Sequence, residues 1–252
     1  MEFLYYCRSG YEADLLAELD QKCAEKGHYG YAKLQKNSAH LRYNMPQLTL
    51  PNAKTSQQQS AESDKQIIAS KVADFLKLSQ ATPKFDDLVF ARQKLVVVNE
   101  LHFETANRVD EVQDFLLSAL QMKDGHSLFS ALMVEHFDTE DSKQMAKFCK
   151  KFTVPLRSSL RKSNILNAKP DNTKPYLHLI FNDSQSCIVA ISFAKDRSEH
   201  ALGIFRLKMP SDAPSRSTLK LEEAIKGFLT PKQEQCLFTP GMRAVDLGAC
   251  PG

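Results

Sequence analysis

Apolar and polar positions alternate along this chain with two different periods. Residues 3–7 are a short apolar and aromatic run that predicts a strand. From Tyr11 onward, Ala13, Leu15, Leu16, Leu19 and Cys23 recur at helical spacing, and Gly27 stands just past the pattern, where glycine closes a helix. Residues 29–34 and 40–43 then flank Gln35-Lys36-Asn37-Ser38, which has the composition of a hairpin turn. Residues 46–64 contain Pro46, Pro51 and the string Ser56-Gln57-Gln58-Gln59-Ser60, and predict a polar surface insertion. A second helix is predicted over 65–78, with Ile67, Ile68, Val72, Phe75 and Leu76 at helical spacing, followed by a β-branched run over 88–98 suited to a buried strand. The order β-α-β-β-α-β is that of a ferredoxin-like unit, here residues 1–100.

The alternation then repeats. A helix over 109–120 (Val112, Phe115, Leu116, Leu120) precedes a strand over 129–137 and a long basic helical region over 141–166, interrupted at Pro155. Two alternating strands, 175–181 and 187–193, surround an Asn182-Asp183-Ser184 turn. Residues 101–209 therefore read as a second small α/β domain. Pro210-Ser211-Asp212-Ala213-Pro214 predicts a rigid linker, residues 215–228 a short helix, and 242–252 a buried strand running into a turn at Gly248. A glycine loop after a strand normally introduces a helix that needs its own sheet. The expectation is that the chain stops where a third domain, starting at 210, begins.

Composition adds bounds. In 252 residues, 42% apolar and 25% charged positions are ordinary for a globular protein and exclude a disordered tail or a small cysteine scaffold. Cys7, Cys23, Cys149, Cys187, Cys236 and Cys250 are scattered without a C-x-x-C pair, so a reduced set and no metal are expected. The N-terminus carries an acid where an export signal needs a basic start, and no run approaches a membrane helix. A cytoplasmic monomer with no membrane association is expected.

Charge changes the picture more. The net value of +3 conceals residues 143–220, which hold 15 Lys+Arg against 5 Asp+Glu. Within them lie Lys143, Lys147, Lys150, Lys151, Arg157, Arg161 and Lys162, with no acid between Ser142 and Pro170. Positions 143, 147 and 151 share one helical stripe, as do 157 and 161. A solvated charged face usually mixes both signs, so a stripe without acids points to phosphate binding.

Two further strings carry chemistry. Asp246-Leu247-Gly248-Ala249-Cys250-Pro251-Gly252 follows a predicted strand, and Cys250 stands where a dinucleotide fingerprint needs glycine. The loop resembles the first motif of S-adenosylmethionine-dependent methyltransferases. Upstream, Pro214-Ser215-Arg216-Ser217-Thr218-Leu219-Lys220-Leu221-Glu222-Glu223-Ala224 explains itself partly as a capped helix, with Ser217 as cap. It is also similar to the Ser-Arg…Lys-Leu helix of ribose 2′-O-methyltransferases. Together with Phe90-Ala91-Arg92-Gln93 and the run from Lys147 to Arg157, these strings resemble the family of ribosomal RNA large subunit methyltransferase M, bacterial enzymes that methylate a cytidine ribose 2′-oxygen of 23S rRNA.

The resemblance implies an α/β (α+β) chain: a ferredoxin-like unit, a THUMP-like RNA-binding domain over 101–209, and over 210–252 the first elements of a truncated Rossmann-like methyltransferase domain. It implies Lys220 as the first lysine of a Lys-Asp-Lys-Glu tetrad, with the proton acceptor beyond residue 252. Ser217, Gly248, Cys250, Pro251 and Gly252 would begin the S-adenosylmethionine site, and 23S rRNA would be the partner. Two alternatives stay open: a non-catalytic RNA-binding module, and a methyltransferase acting on a base.

Because a Rossmann-like site is closed by several strands and loops, the 252-residue chain is expected to be inactive and to show no micromolar heat signal when titrated with S-adenosylmethionine. A full-length enzyme is expected to methylate protein-free large-subunit rRNA. In it, Lys220→Ala should abolish turnover with little change in cofactor affinity; loss of affinity would make Lys220 a cofactor or structural residue.

Overall fold

The first apolar run forms β1 (Glu2–Cys7), and the helical spacing after it forms α1 (Glu12–Glu25), which buries Leu15, Leu19 and Cys23. The computed structural model describes residues 1–48, 67–120, 128–140, 142–209, 211, 217–243 and 245. Gly27 ends α1 at φ +75°, donating its N–H to the Ala24 carbonyl at 2.9 Å while His28 donates to the Cys23 carbonyl at 2.9 Å. That pair of bonds is a Schellman cap, which needs a residue tolerant of the left-handed region. The hairpin follows as β2 (Tyr31–Ala32) and β3 (His40–Asn44). Next come α2 (Ile67–Ala81), reaching past the expected 78, and β4 (Ala91–His102), reaching past the expected 98. The order β2-β3-β1-β4, with every neighbour antiparallel, is the ferredoxin-like arrangement. Most of the polar insertion expected over 46–64 lies outside the described residues.

The second half supplies α3 (Arg108–Leu120), β5 (Ala131–His136), α4 (Lys143–Lys162), β6 (Tyr176–Phe181) and β7 (Ser186–Ser192). Strands β5 and β6 are parallel, with α4 as the crossover between them, and β6 turns back into an antiparallel β7. All seven strands share one sheet, β2-β3-β1-β4-β7-β6-β5, inside a unit spanning Met1–Gly203. The division expected at residue 100 therefore falls inside β4. This strand is long enough to pair with β1 from Ala91 to Val96 and with β7 from Val96 to His102, its register shifting between Val97 and Asn99.

The expected interruption at Pro155 is corrected by the structure: α4 is one helix of 20 residues with Pro155 inside it. Proline leaves the Lys151 carbonyl without its usual donor. Both residues lie on the exposed side, open to solvent, and the Thr153 hydroxyl donates to the Cys149 carbonyl at 2.6 Å one turn away.

A buried polar cluster shows that the sheet is strongly curled. The Tyr6 hydroxyl on β1 donates to Glu135 Oε2 on β5 at 3.1 Å. In a flat sheet these strands, four positions apart, would be separated by about 19 Å. Glu135 also faces His178 Nδ1 at 3.2 Å and accepts from the Leu202 N–H at 2.7 Å, while His178 Nε2 meets the Ser192 hydroxyl at 2.8 Å. Burial pushes the Glu135 carboxyl up, but the bonds from His178, Leu202 and Tyr6 outweigh it and hold the group below its ordinary value.

A second buried cluster joins the halves. The Lys94 ammonium on β4 donates to Asp196 Oδ2 at 2.6 Å and to the carbonyls of Pro83 at 2.8 Å and Ser79 at 3.1 Å. Asp196 in turn accepts from the Ser79 hydroxyl and the Phe85 N–H, both at 2.8 Å. The end of α2, the short 3-10 turn Phe85–Asp87 and the loop after β7 all meet at this ion pair.

The remaining unit, Ile204–Gly252, contains α5 (Ser217–Phe228) and α6 (Pro231–Leu237). The sequence pattern missed α6. Its signal is a capping box, Thr230 with Gln233, and a proline at the first helical position. Among the described residues no helix is long and apolar enough to cross a membrane, and no cluster of His, Cys, Asp and Glu could hold a metal.

Removing one partner of a buried ion pair strands the other charge, at a cost of about 3–5 kcal/mol. Asp196→Ala should therefore lower the urea midpoint by that much stability, and a loss under about 1 kcal/mol would show that Lys94 finds water instead.

Candidate nucleic-acid interface

The local sequence of α4 dictates which way each side chain faces. Cys149, Phe152, Leu156 and Leu160, spaced three or four apart, are buried, with Leu156 and Leu160 at 0% exposure. This face packs on β5 and α3, and the Ser159 hydroxyl is hydrogen-bonded to Gln113 of α3. Phe148 and Phe152 stack 5.6 Å apart and meet Phe181 of β6 edge-on at 5.0 and 5.3 Å, which fixes the helix rotation.

With the apolar stripe inward, the basic residues can only face out. Lys147, Lys150, Lys151, Arg161 and Lys162 are exposed, and Arg157 is half-buried at the margin. Lys143 is the first residue of α4. At 1.5 Å per residue, the cations from Lys147 to Lys162 line about 22 Å of helix. Among the described residues no carboxylate pairs with Lys147, Lys150, Lys151, Arg157 or Lys162. Arg161 donates to the Asn167 carbonyl at 3.3 Å, which steadies the C-terminal end of the stripe. An exposed helical row of unpaired cations on a rigid sheet has the geometry to track phosphates.

The tertiary structure adds one cation that the chain pattern did not mark. Arg108, at the start of α3, lies with its guanidinium 5.8 Å from the centre of the Phe148 ring. It is half-buried beside α4, in a helical turn that also carries the carboxylates of Asp110 and Glu111. Nothing local to residue 108 signals this, because only α3–α4 packing brings the two together.

The residues expected to begin a cofactor site are not brought together among the described residues. Ser217 opens α5, and Lys220 on the same helix is exposed. Glu222 and Lys226 pair along α5, and Leu221 is 64% exposed. Gly248, Cys250, Pro251 and Gly252 lie outside the described residues.

Comparison with known proteins follows the same division. A family model described as "RlmM ferredoxin-like domain" matches residues 1–52, and one described as "Ribosomal RNA large subunit methyltransferase M, N-terminal" matches residues 108–193. Curated relatives named ribosomal RNA large subunit methyltransferase M include that of Alteromonas mediterranea, 40% identical over 99% of this chain and 61% of its own length. Those of Histophilus somni and Yersinia pestis are 38% identical over 98% of this chain and cover 62% and 59% of their own lengths. The chain thus spans about three fifths of the length of the curated relatives it matches. Among solved structures, a possible methylase from Clostridium difficile 630 aligns over 78% of this chain and 42% of its own at 12% identity, with a TM-score of 0.36.

Proposed function

We propose, from a chain that belongs over residues 1–52 and 108–193 to the ribosomal RNA large subunit methyltransferase M family, that this protein binds 23S ribosomal RNA and serves its S-adenosylmethionine-dependent methylation. The observation that carries the binding is the acid-free, outward-facing stripe of α4, fixed in rotation by Phe148, Phe152, Leu156 and Leu160. Residues 101–209 form the RNA-binding domain, residues 1–100 the ferredoxin-like unit fused to it through β4, and residues 210–252 the entry to the methyltransferase domain. The protein works as a cytoplasmic monomer.

The methyl acceptor in this reading is a cytidine ribose 2′-oxygen. Ser217, Gly248, Cys250, Pro251 and Gly252 would hold part of S-adenosylmethionine, which would supply the sulfonium methyl. A ribose hydroxyl is a weak nucleophile, and its proton must pass to a lysine that is desolvated or beside a second cation. Lys220 is exposed and takes the assisting role, polarising the hydroxyl.

Phosphate contacts release counterions, so the logarithm of affinity for structured RNA should fall linearly with the logarithm of salt, by about 0.7 to 0.9 per contact. Replacing Lys147, Lys150 and Lys151 with alanine should flatten that slope by about two to three units without altering the fold, since exposed charges contribute little stability. Filter binding of both proteins at three salt concentrations decides it, and an unchanged slope would remove α4 as the RNA surface.

A further inference from the structure

Away from α4, two loops of the ferredoxin-like half meet beside the start of α1 and expose apolar side chains that the core does not need. Tyr11 is 40% exposed and Val89 79% exposed, while Phe90 between them packs partly on the core. The Tyr11 and Phe90 rings stack with centroids 6.0 Å apart and an interplanar angle of 26°, and the Arg8 guanidinium lies 5.7 Å from the Tyr11 ring centre.

Two carboxylates hold these loops by their backbones. Glu12 accepts from the N–H groups of Gly10 at 3.2 Å and Ala39 at 2.9 Å. Glu18 accepts from those of Val89 at 2.7 Å and Phe90 at 3.0 Å. The cost of ordering an aromatic loop is thus met by the fold before any ligand arrives. Burial would push the Glu12 carboxyl up, but its backbone donors hold it below the ordinary range, so it stays an anion without facing solvent. Two cations reach the surface beside the rings, Arg8 and, on the loop whose Asn37 lies beside Gly10, Lys36, while the nearby carboxylates of Asp14, Asp86 and Asp87 are exposed as well.

We propose that Arg8, Tyr11, Val89 and Phe90 form a stacking platform for one unpaired base of the RNA, with Arg8 and Lys36 taking its phosphates. This rests on the reading of the protein as an RNA binder and adds to it the kind of RNA, single-stranded or looped. Duplex bases are stacked on one another and offer no free face, whereas unpaired bases stack on aromatic rings and guanidinium planes. Chain connectivity sets the platform within reach of α4. Two residues after Phe90, Arg92 pairs with Asp138 at 3.0 Å, and Asp138 precedes the first residue of α4 by five positions, at most about 18 Å of chain. One RNA can therefore lay paired phosphates along α4 and an adjoining unpaired base on Tyr11.

The test uses the 252-residue chain with a short single-stranded RNA carrying 2-aminopurine, and the same RNA annealed to its complement. The expected result is quenching of 2-aminopurine on binding the single strand, and a 5- to 150-fold weaker single-strand affinity for Tyr11→Ala, equivalent to about 1–3 kcal/mol per stacked base. Duplex affinity should not change, and Tyr11→Phe should bind as the parent does. Should Tyr11→Ala fail to fold by thermal melting, Tyr11→Leu keeps the apolar bulk without a ring face and should show the same loss. Wild-type single-strand affinity in either variant, or no quenching, would overturn the platform while the salt slope still reports on α4. If the unmodified chain binds neither RNA, the RNA-binding reading falls and the platform with it.

Discussion

Strand β4 is the constraint on which the rest of the molecule depends. Its 12 residues give one edge to β1 and the other to β7, so two groups of strands become a single sheet. Left separate, each would present an open edge of unpaired N–H and C=O groups to any passing strand. The shift between Val97 and Asn99 marks the place where one partner hands over to the other. Side chains of the same strand repeat the coupling. Lys94 holds Asp196, and Gln93 accepts from the Ser198 N–H at 3.0 Å and donates to its carbonyl at 3.1 Å. Gly203, at φ +65°, comes so close to the Arg92 carbonyl oxygen that a Cβ there would lie 1.8 Å from it. Only glycine permits that approach.

This coupling gives the basic helix a rigid base. α4 is held through aromatic and aliphatic contacts on one side, so the residues opposite are free of structural duty. Exposed charges contribute little to folding, and an uninterrupted set of one sign is mildly repulsive. An acid-free stripe therefore makes physical sense as a ligand surface. The same division of labour appears at the N-terminal loops, where Glu12 and Glu18 bind backbone and leave Arg8, Tyr11 and Val89 outward.

Much of the local order was legible from the chain alone. Leu15, Leu19 and Cys23 marked the buried face of α1, Gly27 marked its end, and the β-α-β-β-α-β order pointed to the ferredoxin-like half. The orientation of α4 was equally readable, since Phe148, Phe152 and Leu156 alternate with lysines at a helical period. The break expected at Pro155 was an error of a local rule, because the lost donor sits on a hydrated face where the penalty is small. α6 was missed although its capping box was in plain sight at Thr230 and Gln233.

By itself, then, the sequence determined most of the helices and strands of residues 1–203, which face of each is apolar, and that the cations of residues 143–162 gather on one helical side. Those properties depend on neighbours three or four positions apart, or two in a strand, and the pattern records them directly. Tertiary structure decided that the two halves share one sheet, that Tyr6 reaches Glu135 and Lys94 reaches Asp196, that Arg108 lies over Phe148, and that Tyr11 stacks on Phe90. Each of these joins residues from about 40 to 130 positions apart, through pairings whose register is fixed only once the whole sheet has curled and every buried polar group has found its partner.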